Sequence, residues 1–234
     1  MAKFREMDIK RNTELIREEV TRYSARLIAV SKTQPTEKIM EAYQSGQRLF
    51  GENKVQELLA KQKELPADIE WHLIGHLQTN KVKSVVPFVS MIHAVDSEKL
   101  ADEINKQAMS AGRVVRCLLQ VHIAKEDTKF GFDRDELLRF IDQPKIATYK
   151  HISITGLMGM ATFTENKEQI RQEFRGLKQL FEYVRTAKVA GIEMKELSMG
   201  MSSDYQVALE EGSTLVRIGT SIFGERNVIK NQQA

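Results

Sequence analysis

The feature that most constrains this chain is an alternation. Eight short apolar runs follow one another between residues 27 and 224, with amphipathic segments between them. They are LIAVSK (27–32), RLFGEN (48–53), IEWHLIG (69–75), VSMIHAVD (89–96), RVVRCLLQVHI (113–123), HISITGLMGM (151–160), MKELSMG (194–200) and LVRIGTSIFG (215–224). The intervening segments have helical periodicity and helical stops, such as Gly46 after TEKIMEAYQS and Gly112 after the segment that Ser97 opens. Strand-like runs joined through helices predict a parallel sheet of βαβ units. Eight units in a chain of 234 residues favour closure into a single (β/α)8 TIM-type barrel over an open sheet. An opening segment, roughly 7–24, carries Ile9, Ile16, Val20 and Tyr23 on one stripe and predicts an extra N-terminal helix packed on the body. No Pro/Gly/Ser-rich linker interrupts the series, so one domain spanning 1–234 is expected.

Composition narrows the function classes. With 41% hydrophobic residues the chain can bury a large core. Its 35 basic and 32 acidic residues nearly balance, which gives no support to a nucleic-acid partner. The single cysteine, Cys117, can form no internal disulfide and sits in the apolar run VVRCLLQV, where a buried, inert thiol is expected. The first residues, MAKFREMDIKRNTE, contain no apolar signal core. The longest apolar stretch, SVVPFVSMI, is short of the roughly 18 residues a membrane span needs and is broken by Pro87. A cytoplasmic protein without a membrane partner is the expectation.

In such barrels chemistry gathers at the C-terminal ends of the strands. Lys32 falls there, and strand alternation puts it on one face with Ile28 and Val30. Beside apolar neighbours an ammonium is disfavoured, and a neutral lysine is what imine formation with an aldehyde needs; taken alone, a strand-end lysine reaching solvent explains it as well. SMGMSSDYQVALEEG places a glycine-containing turn before a helix. Ser203 and Gln206 have capping-box spacing, which leaves Ser202 for a ligand. In the eighth run Gly219 permits close backbone approach and Thr220 offers a hydroxyl. Arg217 alternates inward with Leu215 and needs an acceptor there. An amine, a phosphate cradle and an inward arginine together point to pyridoxal 5′-phosphate: its aldehyde for Lys32, its phosphate for Ser202, Gly219 and Thr220, its ring nitrogen for Arg217.

AVSKT, FGEN, WHLIG-x-LQ-x-NK, GLMGM, SMGMSSD and VRIGTSIFG stand in the order seen in the pyridoxal phosphate homeostasis protein family, which the chain resembles over residues 27–224. That family is similar to the N-terminal barrel of alanine racemase. The resemblance implies that Lys32 holds the cofactor as an aldimine, that Asn53 lies beside it, and that the Met201 amide joins Ser202, Gly219 and Thr220 at the phosphate. Arg217 would face the pyridine nitrogen and weaken the ring as an electron sink. The chain departs from the family pattern in the shortened TRYSAR loop, in His122 of QVH and in Thr162 of MAT.

Other features read as structural. His72 and His76 have i, i+4 spacing, but on a strand and its following loop that spacing makes no shared face, and no zinc pattern is present. The charged KQKEL segment reads as a solvated helix face. Among functions, a holder of pyridoxal phosphate in vitamin B6 and amino-acid homeostasis, without robust catalysis, is favoured. PLP-dependent apo-enzymes would be its partners, and a monomer is expected. An amino-acid racemase needs a second base opposite the lysine, and none of the five tyrosines is expected at the site. A cofactor-free Schiff-base aldolase for phosphosugars would use Lys32 and Ser202 but leaves Arg217 unexplained.

Overall fold

The computed structural model describes residues 8–125 and 130–225. Eight parallel strands close into a barrel in sequence order. They are β1 (Arg26–Val30), β2 (Leu49–Glu52), β3 (Glu70–Leu73), β4 (Met91–Val95), β5 (Val115–His122), β6 (Ile152–Met160), β7 (Ile192–Met201) and β8 (Leu215–Ile218). Closure comes from β1 pairing with β8, Ile28 opposite Arg217. Helices α1 (Ile9–Arg22), α2 (Thr36–Gln44), α3 (Val55–Glu64), α4 (Val82–Val85), α5 (Glu98–Ser110), α6 (Arg134–Ile141), α7 (Lys167–Ala187), α8 (Tyr205–Glu210) and the short α9 (Thr220–Phe223) flank the strands. This is the (β/α)8 barrel that the alternation predicts. Four residues of the loop AKEDTKFGF, 126–129, lie outside the described residues.

The sheet separates two apolar clusters. The larger one packs the outward faces of the strands against the helices, with Phe50, Leu73, Ile92, Phe174 and Phe223 fully buried. The smaller one lies within the barrel and consists of Ile28, Met91, Ala94, Leu118, Met158 and Leu215. The interior is therefore only partly apolar, and His72, His93, Ser198 and Arg217 fill the rest. Among the described residues no helix is long and apolar enough to cross a membrane.

Two local expectations are corrected. Helix α1 buries Ile9, Thr13, Ile16 and Val20, but Tyr23 lies past its end, half exposed. The eighth run is strand only to Ile218. Its second half, TSIF, turns into α9, which packs beside α1, where Asn12 donates to the Ile222 carbonyl.

Candidate functional site

A cavity of about 570 Å³ opens at the C-terminal ends of the strands. Lys32, Asn53, Met201, Ser202, Arg217, Gly219 and Thr220 all line it, so the residues singled out from the sequence converge on one place. Val30 and Ile74 add apolar wall, and Ser203, Ser221, Met160 and Phe163 complete the lining. These last four were not anticipated. Phe163, nine-tenths exposed and just past β6, is the one whose exposure marks it out. Met160, Phe163 and Met201 also border a smaller cavity of about 250 Å³ that reaches Gln120 and His122. The departure at Thr162 anchors the loop between: its amide and hydroxyl both donate to Glu173 on α7, and its Oγ1 accepts the Lys125 amide.

The loops after β7 and β8 are tied together. Ser202 Oγ accepts the Gly219 amide at 3.2 Å. Gly200 has a φ of +94°, and a Cβ there would come within 2.6 Å of Ala208 Cβ, so the turn into α8 requires glycine. At Gly219 a Cβ would sit 3.1 Å from the Val30 carbonyl, so the loop packs closely on the end of β1 there. The expected Ser203–Gln206 capping box does not form. Asp204 occupies the N-cap position without capping, and its Oδ1 accepts the Met201 amide at 2.5 Å. That amide is thereby committed to Asp204, while Met201 still lines the cavity. The shorter helix starts one residue later than a Ser203 cap would require. Burial holds the Asp204 carboxyl above its ordinary range, against the pull of the Met201 amide and Arg217.

Arg217 points inward, 4% exposed. Its guanidinium donates to Ser198 Oγ at 2.5 Å and to the Gly159 carbonyl at 3.0 Å, both neutral acceptors. Behind it a chain of contacts crosses the barrel: Ser198 Oγ to His93 Nδ1 at 3.0 Å, and His93 Nε2 to His72 Nδ1 at 2.9 Å. An arginine can only donate, so Ser198 Oγ accepts from Arg217. A hydroxyl oxygen has a second lone pair, so two proton orders complete the chain: Ser198 to His93 to His72, or His72 to His93 to Ser198. His72 Nε2 is buried with no partner. Both rings are neutral. Burial, with Arg116 and Arg26 assisting, lowers His72 to about 3, and burial with the neighbouring His72 and Arg217 holds His93 well below its ordinary value. Burial also lowers Arg217 to about 10, which leaves it protonated at neutral pH. His72 and His76 are indeed apart: His76 pairs outside with Asp96 at 2.8 Å.

Lys32 lies two residues beyond the end of β1, off the strand that LIAVSK predicts, half-buried, in a turn closed by the Gln34 amide on the Ser31 carbonyl at 3.0 Å. Ser31 faces the helices and meets a buried ionic cluster. Its Oγ donates to Glu52 Oε1 at 2.6 Å, and its carbonyl accepts from Lys61 Nζ at 2.8 Å. Lys61 also donates to Glu52 Oε1 at 2.7 Å and to Glu57 Oε2 at 3.3 Å. Burial raises the Glu52 carboxyl despite Lys61 and Ser31; its Oε2 has no partner. For Glu57 burial acts the same way but is outweighed by the Thr33 amide and Lys61, so its carboxyl is lowered. Within KQKEL, Lys63 and Glu64 are exposed as expected of a solvated face, but Lys61 is 7% exposed, because it extends the inward stripe of Val55 and Leu58. Among the described residues no group of three or more histidine, cysteine or acidic side chains could hold a metal. Cys117 is fully buried, and burial pushes its thiol well up.

The closed (β/α)8 barrel is the fold of the alanine racemase N-terminal domain, the family whose model matches residues 6–227. An alanine racemase from Streptomyces lavendulae shares the fold at a TM-score of 0.74 and 15% identity, over 94% of this chain and 57% of that one. Much greater similarity is found elsewhere. The pyridoxal phosphate homeostasis protein of Aquifex aeolicus is 42% identical over 203 residues, 86% of this chain and 87% of the relative. The protein of that name in Mus musculus is 41% identical over 88% of this chain and 78% of the relative. PipY of Synechococcus elongatus, solved with pyridoxal phosphate bound, superposes at a TM-score of 0.84 with 37% identity, over 92% of this chain and all of that one. The chain belongs to the pyridoxal phosphate homeostasis protein family.

Proposed function

We propose that this barrel holds pyridoxal 5′-phosphate at its mouth through Lys32 and serves to store or hand over the cofactor, with no turnover of its own. The observation that carries the reading is the convergence of Lys32, Arg217 and the Ser202–Gly219–Thr220 double loop on one cavity of about 570 Å³, within the usual range of small-molecule sites. The residues fit the group. Ser202, Gly219 and Thr220, with Met201 beside them, suit its phosphate. Arg217 faces neutral protein acceptors, so its charge is left for a ligand's ring nitrogen. Asn53 lines the same cavity as Lys32. When bound, pyridoxal phosphate supplies an aldehyde that condenses with a primary amine, releasing water, and a ring that draws electron density.

Holding rather than racemising is supported by the tyrosines. Tyr43, Tyr149 and Tyr205 donate to Asp68, Asp102 and Glu19, away from the cavity, and Tyr23 and Tyr183 are exposed. No tyrosine lines the mouth to face Lys32. We further propose that the chain acts as one domain over 1–234, as a cytoplasmic monomer, with PLP-dependent apo-enzymes as recipients. The test is the visible spectrum of purified protein with added pyridoxal phosphate, before and after borohydride, with peptide mapping. A coloured adduct that reduction fixes on Lys32, absent in Lys32→Ala, is the expected result. A protein that takes up none overturns the reading.

A further inference from the structure

The turn that carries Lys32 is strained. Thr33 has a φ of +64°, the left-handed region, and is the only β-branched residue with positive φ among those described. In the hydrogen-bonded turn Ser31–Gln34 it occupies the third position, where positive φ belongs to glycine in a type II turn. The peptide between Lys32 and Thr33 is the one whose flip separates that turn from the relaxed type I form. Its N–H is held: it donates to Glu57 Oε2 at 2.7 Å. The first peptide of the turn is held as well, since Lys61 Nζ binds the Ser31 carbonyl, and Glu52 binds Ser31 Oγ. Glu57 and Lys61 are one helical turn apart on α3 and bonded to each other, so helix and turn are joined at two consecutive backbone groups flanking Lys32.

We propose that Glu57, working with Lys61 from the helix side of the sheet, is a positioning residue that holds the Lys32 turn in its strained form and so aims the lysine into the mouth cavity. The inference rests on Lys32 being the attachment amine. Freed of Glu57, the Lys32–Thr33 peptide relaxes toward negative φ at Thr33 and re-aims Lys32, while the loops of Ser202 and Gly219, tied to each other by the Gly219 amide on Ser202 Oγ, stay as they are. A misplaced nucleophile slows bond formation steeply, whereas non-covalent binding of the phosphate is untouched.

The experiment measures two quantities on the full chain: the rate of covalent attachment of pyridoxal 5′-phosphate, and the affinity for pyridoxine 5′-phosphate, which lacks the aldehyde. Glu57→Ala is expected to slow attachment at least tenfold and leave pyridoxine phosphate affinity within twofold. Glu57→Gln, which keeps an acceptor oxygen, restores the rate. Thr33→Gly added to Glu57→Ala also restores it, since glycine takes positive φ without the clamp. Attachment by Glu57→Ala at the wild-type rate, equal loss of both quantities, or a double variant as slow as the single one overturns the proposal. Should Glu57→Ala not fold, Glu57→Asp withdraws the acceptor by one methylene and carries the same expectation and the same refutation. Wild-type protein that forms no adduct on Lys32 overturns the cofactor reading and this proposal with it; an adduct whose rate ignores Glu57 overturns this proposal alone.

Discussion

Two buried polar networks stand behind the mouth of this barrel, one on each side of the sheet, and they hold charge in opposite ways. Inside, Arg217 rests on Ser198, His93 and His72, a chain of neutral groups. Among the described residues, Asp204 is the carboxylate whose charge reaches that guanidinium. Outside, Lys61 sits between Glu52 and Glu57, its charge countered by two carboxylates within 4 Å. A buried cation countered by acids is structural, because nothing of its field is left over. One held by neutral partners still attracts an electron-rich atom, and Arg217 reaches the cavity where such an atom would arrive. The difference separates a residue that holds the fold from one that is ready for a ligand.

The largest expected effect breaks the outer network. Lys61→Met leaves Glu52, fully buried, without its cation, and removing one partner of a buried ion pair costs about 3–5 kcal/mol. The loss depends on pH with a definite sign. Burial already raises the Glu52 carboxyl, and without Lys61 it rises further above its unfolded value. The folded variant then binds more protons than the unfolded chain, so its stability falls as pH climbs through and above the ordinary carboxylate range. Urea unfolding should show a smaller gap from wild type near pH 5 than near pH 8. A gap of equal size at both would mean that the cluster is not held by charge.

How far the two networks were legible in the sequence differs for physical reasons. Arg217 could be placed because strand alternation fixes a residue's face from its own segment. Lys32 was placed at the mouth by its position at a strand's C-terminal end, although the turn after β1 and not strand alternation carries it. Ser198 and His93 could not be joined to Arg217, since their meeting depends on cross-barrel register. Between β7 and β8 the register shifts between Ser198 and Met201, a bulge that no local pattern announces. Glu52 and Lys61 were hidden differently. A lysine in a charged helix counts as surface by composition, and only its place on the stripe of Val55 and Leu58 marks it as inward. Asp204 took the cap position that Ser203 was expected to hold, and α9 replaced the end of an apparent strand, because tertiary contacts override short local preferences.

A second prediction turns to the inner network, where the same kind of change should act on binding rather than folding. Arg217→Met removes a buried cation that has no paired carboxylate, and with it the cost of desolvating that charge. Stability should stay within about 1 kcal/mol of wild type, since apolar replacement of buried ionic groups is often neutral. Affinity for pyridoxal phosphate should instead fall by one charge-assisted hydrogen bond, about 1.5–3 kcal/mol. Equilibrium titration beside urea unfolding separates the two. A large stability loss with unchanged affinity would make Arg217 a structural residue like Lys61.

The smallest effect, about 1.4 kcal/mol per pH unit for one histidine, sharpens the contrast most, because the two networks should answer acid with opposite signs. His72 and His93 are neutral when folded, with His72 at about 3, against an ordinary 6.5. Above the ordinary value neither form takes up protons and the histidines are silent. As pH drops below it, the unfolded chain binds protons that the folded one refuses, and stability drains away until the folded value is reached. The Lys61→Met deficit shrinks over the same descent. His72→Asn isolates the histidine contribution: the amide can accept from His93 Nε2 or donate to it, so the contact is kept in either proton order, but one titrating ring is gone. At pH 7.5 the variant should be somewhat less stable than wild type through lost packing. Below about pH 6.5 the difference should close by about 1.4 kcal/mol per unit and then reverse. Parallel acid curves for the two proteins would mean that His72 is not held neutral in the folded barrel.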